Sequence, residues 1–454
     1  MTDMKTANST HDVIVIGGGV TGAGVARDCA MRGLKTLLFE KGSPGEATTA
    51  SSTHLIHGGL RYLLYDRLTT HTTCWDSGHI IRIAAPLLKR LPILWPVYRD
   101  HSHGLLTVET LLETYDGFQR MKGGLAHLRL NPEETLKLVP GLTREGLVGA
   151  VAFDEWWVDP VGLVNMNLDS ACRHGAEVRT GEEVTALSRR DGRITGVVAG
   201  GLELESKLVI NATGPWVDKI ARLAGLRVPL RLQKGTHLVY KDRVTPVGLL
   251  LEAVDRGRYV FIVPSPQGTL VGPTDLPAPE DPERVSTSPE EISYLLASAK
   301  RYFKDFPEGY DRTIVGARPI LGQAGSEKLL SREYEVFDHS RRDRVEGLLT
   351  IGGGKLSDFR IMAEAVTNAA CAKLGRASEC RTARETLDGR PVTEIPYFPE
   401  PWRPVKQFLR RHPRLRELHA LAYLGAGLAR RLARETLGTT GFATAESFRG
   451  YYDR

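Results

Sequence analysis

The sequence predicts an α/β protein in which a parallel sheet with helices is joined to a second, antiparallel sheet and a short helical C-terminal region. Three observations predict this fold. An apolar β-branched run at 12–16 enters a glycine-rich turn and a helix-compatible stretch. Apolar runs at 208–214 and 348–355 also end in small residues or glycines. Between them, at 232–275, short alternating runs separated by Pro, Gly and Asp are typical of an antiparallel sheet.

Length and composition are those of a globular protein with two or three domains. The chain has 454 residues, of which 41% are hydrophobic and 25% are charged, and this balance excludes the disordered, collagen-like and membrane-spanning classes. The residues before the first strand lack the apolar stretch of a secretory signal. We therefore expect a cytoplasmic protein. The five cysteines are widely spaced and match no disulfide scaffold or zinc-ligand pattern, so no metal site is predicted.

The first strand and its turn carry a dinucleotide-binding fingerprint. Gly17, Gly19 and Gly22 occupy the glycine positions of G-x-G-x-x-G, which let backbone N–H groups approach a pyrophosphate at a helix N-terminus. Glu40 ends the next predicted strand and can accept hydrogen bonds from ribose hydroxyls. Its charge would repel a 2′-phosphate, so the pattern disfavours NADP. This motif alone leaves both NAD and FAD open.

Two later segments favour FAD. The strand at 208–214 ends in small residues that could pass beside an adenosine, and the glycines near 352 open a helix whose N–H groups could face a flavin. The nucleotide domain would then be Rossmann-like, of the two-dinucleotide-binding-domain type, and discontinuous. We predict an FAD-binding domain at 10–64, 145–230 and 343–376, a helical insertion at 65–144, a substrate-capping domain at 231–342 and a basic helical C-terminal region at 377–454.

The cations near these motifs point to an anionic substrate. Arg318 precedes a proline in an apolar strand, and Lys355 stands at a helix start after three glycines, so each opposes its surroundings and needs an anionic partner. For Lys355 together with Arg61, a substrate phosphate is favoured over internal ion pairs. Taken alone, Arg332 is typical of a surface residue and His237 of a structural strand histidine.

Residues 52–62 read STHLIHGGLRY, which closely resembles a motif of the FAD-dependent glycerol-3-phosphate dehydrogenase family. That family has the D-amino-acid-oxidase-like fold. Further matches are KGTH at 234–237, GARP at 316–319, SREY at 331–334 and GGGKL at 352–356. The resemblance covers roughly residues 10–390, and its later part is most similar to the large catalytic subunit of the anaerobic branch. The sequence departs from the family pattern at His54, Pro273 and Asp358.

The resemblance implies oxidation of sn-glycerol 3-phosphate to dihydroxyacetone phosphate, with a hydride passing to the flavin. It implies that Arg61, Tyr62, Arg332 and Lys355 hold the phosphate. His237 would take the hydroxyl proton, and Arg318 would stabilise the developing alkoxide. The implied cofactor-binding residues are Gly17, Gly19, Gly22, Glu40, Lys41, Ser52, Thr53, Gly58, Val184, Ala212, Gly214, Gly353, Gly354, Lys355, Leu356 and Ser357.

The excess positive charge lies in the C-terminal region. The whole chain has a net charge of +6, and residues 401–454 hold 11 basic and 4 acidic residues. Arginines there alternate with leucines at near-helical spacing, and the apolar run at 86–98 offers Trp95 and Tyr98 as amphipathic anchors. Either segment could lie on an anionic membrane surface or pack on the protein itself. Nucleic acid is disfavoured because no recognition module accompanies the basic region.

Four functional hypotheses follow. The first is a dehydrogenase, peripheral on the inner face of the cell membrane, that passes electrons to a quinone or to partner subunits. The second is a glycerol-3-phosphate oxidase that uses oxygen. The third is an amine oxidase of the glycine or sarcosine type, and the fourth is a non-catalytic flavin-binding scaffold. The polar constellation of Arg61, His237, Arg318 and Lys355 disfavours a scaffold, because it would cost stability without a use.

Overall fold

The computed structural model describes residues 10–64, 67–321, 334–392, 408, 412–438 and 441–452. The strands in these ranges are β1 His11–Ile16, β2 Thr36–Glu40, β3 Leu55–Ile56, β4 Leu88–Tyr98, β5 Leu128–Leu130, β6 Leu147–Val158, β7 Glu177–Thr180, β8 Val184–Arg190, β9 Arg193–Ala199, β10 Leu202–Asn211, β11 Leu230–Tyr240, β12 Gly248–Glu252, β13 Tyr259–Ser265, β14 Gly268–Gly272, β15 Leu276–Pro277, β16 Arg312–Leu321, β17 Tyr334–Asp338 and β18 Leu348–Gly353. The helices are α1 Val20–Met31, α2 Arg67–Ile83, α3 Leu105–Lys122, α4 Pro132–Leu138, α5 Pro160–Arg173, α6 Val217–Arg222, α7 Pro289–Lys300, α8 His339–Arg342, α9 Phe359–Lys373, α10 Pro413–Thr436 and α11 Ala445–Tyr452.

The first sheet has the order β17-β18-β10-β1-β2-β7 and is parallel from β18 to β7. Its central strand is buried on both faces, as expected for a parallel sheet covered on each side. Val13 and Val15 of β1 pack with α1, α5 and α9, whereas Ile14 and Ile16 pack with the β8–β9 hairpin on the other face. The turns after β1, β2, β10 and β18 therefore meet at one edge of this sheet.

The second sheet has the order β15-β11-β14-β13-β12-β4-β6-β3, with β16 added to β11 and β5 to β6. All its pairings are antiparallel except that of β12 with β4. One face packs against α4 and α7, and the other packs against α3. The predicted α/β architecture, with a parallel and an antiparallel sheet, is confirmed, and so is the helical character of the C-terminal region.

Four strands of the second sheet, β3 to β6, differ from the predicted division of the chain, and the two long ones are β4 and β6. The prediction placed 88–98 in a helical insertion and 147–158 in the FAD-binding domain, but β4 and β6 pair along their whole length within the second sheet. β4 is an almost continuous apolar run that contains Pro92 and Pro96, so it lacks the alternation that reveals a strand. Trp95 and Tyr98 are 6% and 7% exposed, so of the two alternatives left open for this segment the structure shows packing within the protein.

Helix α10 packs on α3 through ion pairs. The Arg431 guanidinium lies 2.8 Å from the Glu109 carboxylate, and Arg434 lies 2.9 Å from Glu113. A Cβ at Gly427 would lie 2.1 Å from the Thr114 hydroxyl, so glycine permits this close approach. Part of the basic charge of the C-terminal region is therefore neutralised inside the protein.

The outward side of α10 remains apolar. Leu418, Leu421 and Leu432 are 61%, 64% and 50% exposed. Among the described residues, no helix is both long and apolar enough to cross a membrane.

Replacement of Arg431 by Met is expected to lower the free energy of unfolding by about 2 kcal/mol, because it leaves the buried Glu109 carboxylate with one cation fewer. The loss is moderated because Arg129 still pairs with Glu109 at 3.3 Å. Arg430→Met, at the exposed neighbouring position, is the matched control and should change stability little. Urea denaturation of both variants measures the difference, and equal midpoints for the two would contradict a stabilising role of the Arg431 pair.

Candidate active site

A cavity of about 880 Å³ lies at the edge of the first sheet where its strand-ending turns meet. It is lined by the turns after β1, β2, β10 and β18 and by residues of β12, β13 and β16 from the second sheet. Ligands of α/β sheets bind outside the carboxyl ends of the strands, where such turns converge. The cavity is within the size range of small-molecule and cofactor sites.

The turn between β1 and α1 brings backbone close to the cavity because its glycines lack side chains. Gly17 has a φ of +107°, which a residue with a side chain rarely adopts. A Cβ at Gly22 would lie only 1.8 Å from the Gly17 carbonyl oxygen. Gly19, Val20 and Thr21 line the cavity, so the positive end of α1 faces it.

Glu40 fixes this turn and also lines the cavity. Its carboxylate accepts a hydrogen bond of 2.6 Å from the Gly18 N–H and one of 2.9 Å from the Gly42 N–H. A carboxylate has about four acceptor sites, so capacity remains for ribose hydroxyls. Lys41 is instead at the rim, where it pairs with Glu283 at 2.8 Å and lies 4.5 Å from the centre of the Trp216 ring.

The turn after β18 forms another wall. Gly353 and Gly354 have φ values of +77° and +84°, and a Cβ at Gly354 would lie 2.2 Å from the Met362 sulfur. Lys355 follows them, and its Nζ lies 4.6 Å from the centre of the Tyr62 ring and 2.7 Å from the Thr73 hydroxyl. Two residues that the sequence places far apart, Tyr62 and Lys355, are thus brought together.

The glycine turn in 52–62 is held by a buried network that was not predicted from the sequence. The Gly58 N–H donates to the Glu155 carboxylate at 3.3 Å. Glu155 also accepts from Lys122 at 2.6 Å and from the Tyr115 hydroxyl at 2.7 Å. Burial raises the pKa of Glu155, although Lys122 opposes this. Glu155 lies on β6, whereas Tyr115 and Lys122 lie on α3, so no local sequence motif predicts the network.

His237 lies behind the cavity wall. It is 1% exposed, and its Nε2 lies 3.1 Å from the hydroxyl oxygen of Thr53, which lines the cavity. Burial lowers the pKa of His237 well below its ordinary value, and the charges of Arg318 and His54 lower it further. The imidazole is therefore neutral near pH 7 and able to accept a proton. Its Nδ1 has no hydrogen-bond partner among the described residues.

The chain itself supplies carboxylate partners to two of the predicted cations. Arg318 lies 3.2 Å from Asp275, and Lys355 lies 3.1 Å from Asp358. The sequence pattern favours an external phosphate over an internal carboxylate for Lys355, but the structure shows an internal partner. Asp358 is one of the positions named above as departures from the family pattern, so the resemblance did not predict this ion pair.

The other two departures from the family pattern, His54 and Pro273, lie in or near the cavity wall. His54 has a φ of +57°, its Nε2 lies 2.9 Å from the Ala50 carbonyl oxygen, and burial lowers its pKa. Pro273 lines the cavity.

Most of the predicted cofactor and substrate residues line the cavity. They are Gly17, Gly19, Glu40, Lys41, Ser52, Thr53, Tyr62, Val184, Ala212, Gly214, Arg318, Gly353, Gly354, Lys355 and Leu356. Gly22, Gly58 and His237 support this wall from behind, and so does Ser357, whose hydroxyl accepts a hydrogen bond from the His57 N–H at 3.0 Å. Arg332 lies outside the described residues, and so does the side chain of Arg61, whose backbone belongs to the short helix Leu60–Leu64.

Comparisons with known proteins agree with this geometry. The sequence matches the family model described as FAD dependent oxidoreductase over residues 12–356. It is 32% identical over 409 residues to one of the subunits of the anaerobic glycerol-3-phosphate dehydrogenase of Escherichia coli strain K12, and the alignment covers 85% of this chain and 72% of the relative. It is 30% identical over 409 residues to the aerobic glycerol-3-phosphate dehydrogenase of Bacillus subtilis strain 168, with 86% and 72% covered.

The fold is similar to that of a solved structure. The glycerol-3-phosphate dehydrogenase of Bacillus halodurans, complexed with FAD, superposes with a TM-score of 0.67 at 24% identity, and the alignment covers 95% of this chain and 80% of that chain. At this identity the likeness shows the fold alone.

The cavity residues fit FAD. The glycine turns leave backbone where a Cβ would collide with neighbouring atoms, the N-terminus of α1 suits a pyrophosphate, and Glu40 keeps acceptor sites for a ribose.

Gly22→Ala is expected to yield a protein that purifies with little bound FAD, because its Cβ must displace the Gly17 carbonyl and open the turn. Gly117→Ala is the control, since Gly117 lies on the exposed side of α3 and a Cβ there meets nothing within 4 Å. Flavin absorbance per chain is the measurement. If Gly22→Ala kept as much flavin as Gly117→Ala, the turn would not be the pyrophosphate site.

Proposed function

Because the chain belongs to the FAD-dependent glycerol-3-phosphate dehydrogenase family of FAD-dependent oxidoreductases, we propose that it oxidises sn-glycerol 3-phosphate to dihydroxyacetone phosphate in this cavity. The observation that carries the proposal is the contact between Thr53 and the neutral, buried His237 at the wall of a cavity that also presents Lys355 and Arg318. This arrangement offers an anion site and a proton acceptor beside the residues that fit FAD.

The phosphate would be held around Lys355 and Tyr62. Lys355 is mostly buried and precedes a helical stretch that begins at Leu356. A phosphate dianion would therefore be stabilised both by the positive charge of Lys355 and by the N–H groups at the helix start. Arg61 lies in the same turn as Tyr62, and we propose it and Arg332 as further phosphate ligands. Asp358 would share Lys355 with the phosphate and temper its affinity for the anion.

Proton transfer is assigned to Thr53 and His237. The hydroxyl proton at carbon 2 passes to the Thr53 oxygen, while the Thr53 proton passes to Nε2 of His237. Arg318 faces the cavity and stabilises negative charge on the substrate oxygen. FAD, when bound in this cavity, would supply the acceptor for the hydride that leaves carbon 2. His237 thus acts through Thr53 and not by direct contact, which refines the role that the resemblance implied.

The electron acceptor is proposed to be a quinone or a partner subunit, with oxygen as the alternative. The apolar outward side of α10, with Arg414 and Arg430 also exposed, supports docking on an anionic membrane surface where a quinone is available. The protein would then be peripheral on the inner face of the cell membrane.

Anaerobic mixing of the purified yellow protein with glycerol 3-phosphate is expected to bleach the flavin, whereas glycine and sarcosine should not. Flavin that stays oxidised with glycerol 3-phosphate would overturn the proposed function, and bleaching by an amino acid would favour an amine oxidase. A soluble quinone is then expected to restore the colour faster than oxygen does. Faster recovery with oxygen would identify an oxidase.

Thr53→Val should lower the rate of flavin reduction by about 10²-fold or more, because it removes the hydroxyl between substrate and His237 while keeping the side chain's shape. Thr53→Ser keeps the hydroxyl and should retain most of the rate. Stopped-flow reduction at saturating glycerol 3-phosphate makes the comparison. Similar rates for the Val and Ser variants would exclude the relay.

Arg318→Gln is expected to raise the pKa of His237, because a neighbouring positive charge is removed. Flavin reduction needs the neutral imidazole, so the rate falls as pH drops through this pKa. The wild-type profile should stay flat down to about pH 6.5, the ordinary histidine value, and the acid limb of Arg318→Gln should lie at higher pH than that of wild type. Arg318→Lys keeps the charge and serves as control. Coincident acid limbs for Gln and Lys would contradict the assignment of His237.

A further inference from the structure

One arm of the cavity is apolar and lies between the second sheet and α3. We call it the apolar chamber and define it by six lining residues, which are Trp95, Val108, Leu111, Phe153, Leu250 and Phe261. The strand residues come from β4, β6, β12 and β13, and the other two lie on α3. All six belong to, or pack against, one hydrophobic cluster.

The chamber follows from the period of the strands and of α3. Side chains two residues apart on a strand share a face, so Tyr259 and Phe261 of β13 both reach the cavity. Val108 and Leu111 are three residues apart on α3 and cover the same region from the other side. The Trp95 ring meets the Tyr259 ring edge-on at 5.1 Å, so aromatic packing holds this wall in place.

The chamber is continuous with the polar part of the cavity. Leu60 lines the cavity and packs in the same cluster as Trp95 and Phe153, and it stands two residues before Tyr62. The cavity therefore has a polar end with Tyr62, Lys355 and Arg318, and an apolar end. A ligand that fills both has an anionic head and an apolar body.

Glycerol 3-phosphate bound beside FAD does not match the apolar chamber. Its three carbons carry two hydroxyls and a phosphate, whereas only Trp95 among the six side chains that define the apolar chamber carries a hydrogen-bonding group. An apolar cavity is costly to leave empty, and apolar ligands fill such spaces readily. The chamber is therefore suited to an apolar group carried by the same phosphate ester.

We infer that the substrate class is sn-glycerol 3-phosphate bearing an apolar alkyl or acyl group on its C1 oxygen, with that group in the apolar chamber. This inference rests on the proposed function. The attachment point follows from the chemistry, because carbon 3 carries the phosphate and the hydroxyl of carbon 2 must be free to be oxidised. The reaction is unchanged: a hydride leaves carbon 2 for FAD, the hydroxyl proton leaves through Thr53, and the product is the dihydroxyacetone phosphate with the same group on its C1 oxygen.

The binding test uses ketone products, which cannot reduce the flavin. Dihydroxyacetone phosphate and its 1-O-methyl, 1-O-butyl and 1-O-hexyl ethers are titrated calorimetrically into the oxidised holoenzyme. The Kd is expected to fall by about fourfold for each added methylene, as for burial of CH₂ groups in an apolar site. A Kd that does not fall with chain length would overturn the inference.

Variants that fill the chamber localise the effect. Leu111→Trp and Leu250→Trp are expected to abolish the dependence on chain length while leaving the Kd of unsubstituted dihydroxyacetone phosphate within about twofold of wild type, because neither residue lies at the polar end. Leu106→Trp is the matched control, since Leu106 is 52% exposed on the same helix. Thermal melting and flavin content identify a variant that fails to fold. If one of the two filling variants fails to fold, the other carries the test.

Three further outcomes separate this inference from its alternatives. Menadione, a soluble quinone, is tested in the same way. If it binds to wild type but not to Leu111→Trp or Leu250→Trp, and the Kd does not change along the ether series, the chamber is a quinone site and the inference is wrong. If glycerol 3-phosphate does not bleach the flavin under anaerobic conditions, the proposed function fails, and the inference that rests on it fails too. Bleaching by glycerol 3-phosphate together with a flat ether series overturns the chamber assignment alone.

Discussion

The turn between β1 and α1 exists only because Gly22 has no side chain. A Cβ at that position would lie 1.8 Å from the Gly17 carbonyl oxygen, and one at Gly17 would lie 2.8 Å from the Ala212 carbonyl oxygen. These two close approaches set where α1 begins and how near β10 lies to it. Since α1 packs against α5 and α9, and its N-terminus lines the cavity, the first sheet and the cofactor site share this one constraint.

The charges at the site are balanced before any ligand arrives. Arg318 pairs with Asp275, Lys355 pairs with Asp358, and Glu155 pairs with Lys122. Pairing lowers the cost of burying each of these ions. An anionic substrate then has to compete with Asp275 for Arg318 and with Asp358 for Lys355. Because this competition weakens its binding, a ligand that also gains affinity from another part of the cavity is favoured. The apolar chamber is placed to supply that part.

Helix α3 connects the C-terminal region to the cavity. Glu109 and Glu113 on one side of it pair with Arg431 and Arg434 of α10. Val108 and Leu111 on another side line the chamber, and Tyr115 and Lys122 hold Glu155. A single helix thus carries a docking face for α10, a wall of the chamber and the support of the glycine turn at Gly58.

The sequence by itself determined the parts of the protein that are local in the chain. The strand–glycine turn–helix at 12–31, the acid at Glu40 and the glycines before Lys355 were predicted, because each depends on residues a few positions apart and on backbone room that only glycine leaves. The motif at 52–62 indicated the family through consecutive residues, and the segments at 208–214 and near 352 favoured FAD as the cofactor.

Only the tertiary structure decided which distant residues meet. β4 and β6 pair in the second sheet, and the burial of most of their residues on both faces removes the alternation that marks a strand. His237 contacts Thr53, Lys355 contacts Asp358, and Glu155 draws on two residues of α3. These contacts depend on how two sheets and a helix pack, and the side chains involved follow no common period. The separation of these residues along the chain does not predict their contacts, because burial and pairing are properties of the packed molecule.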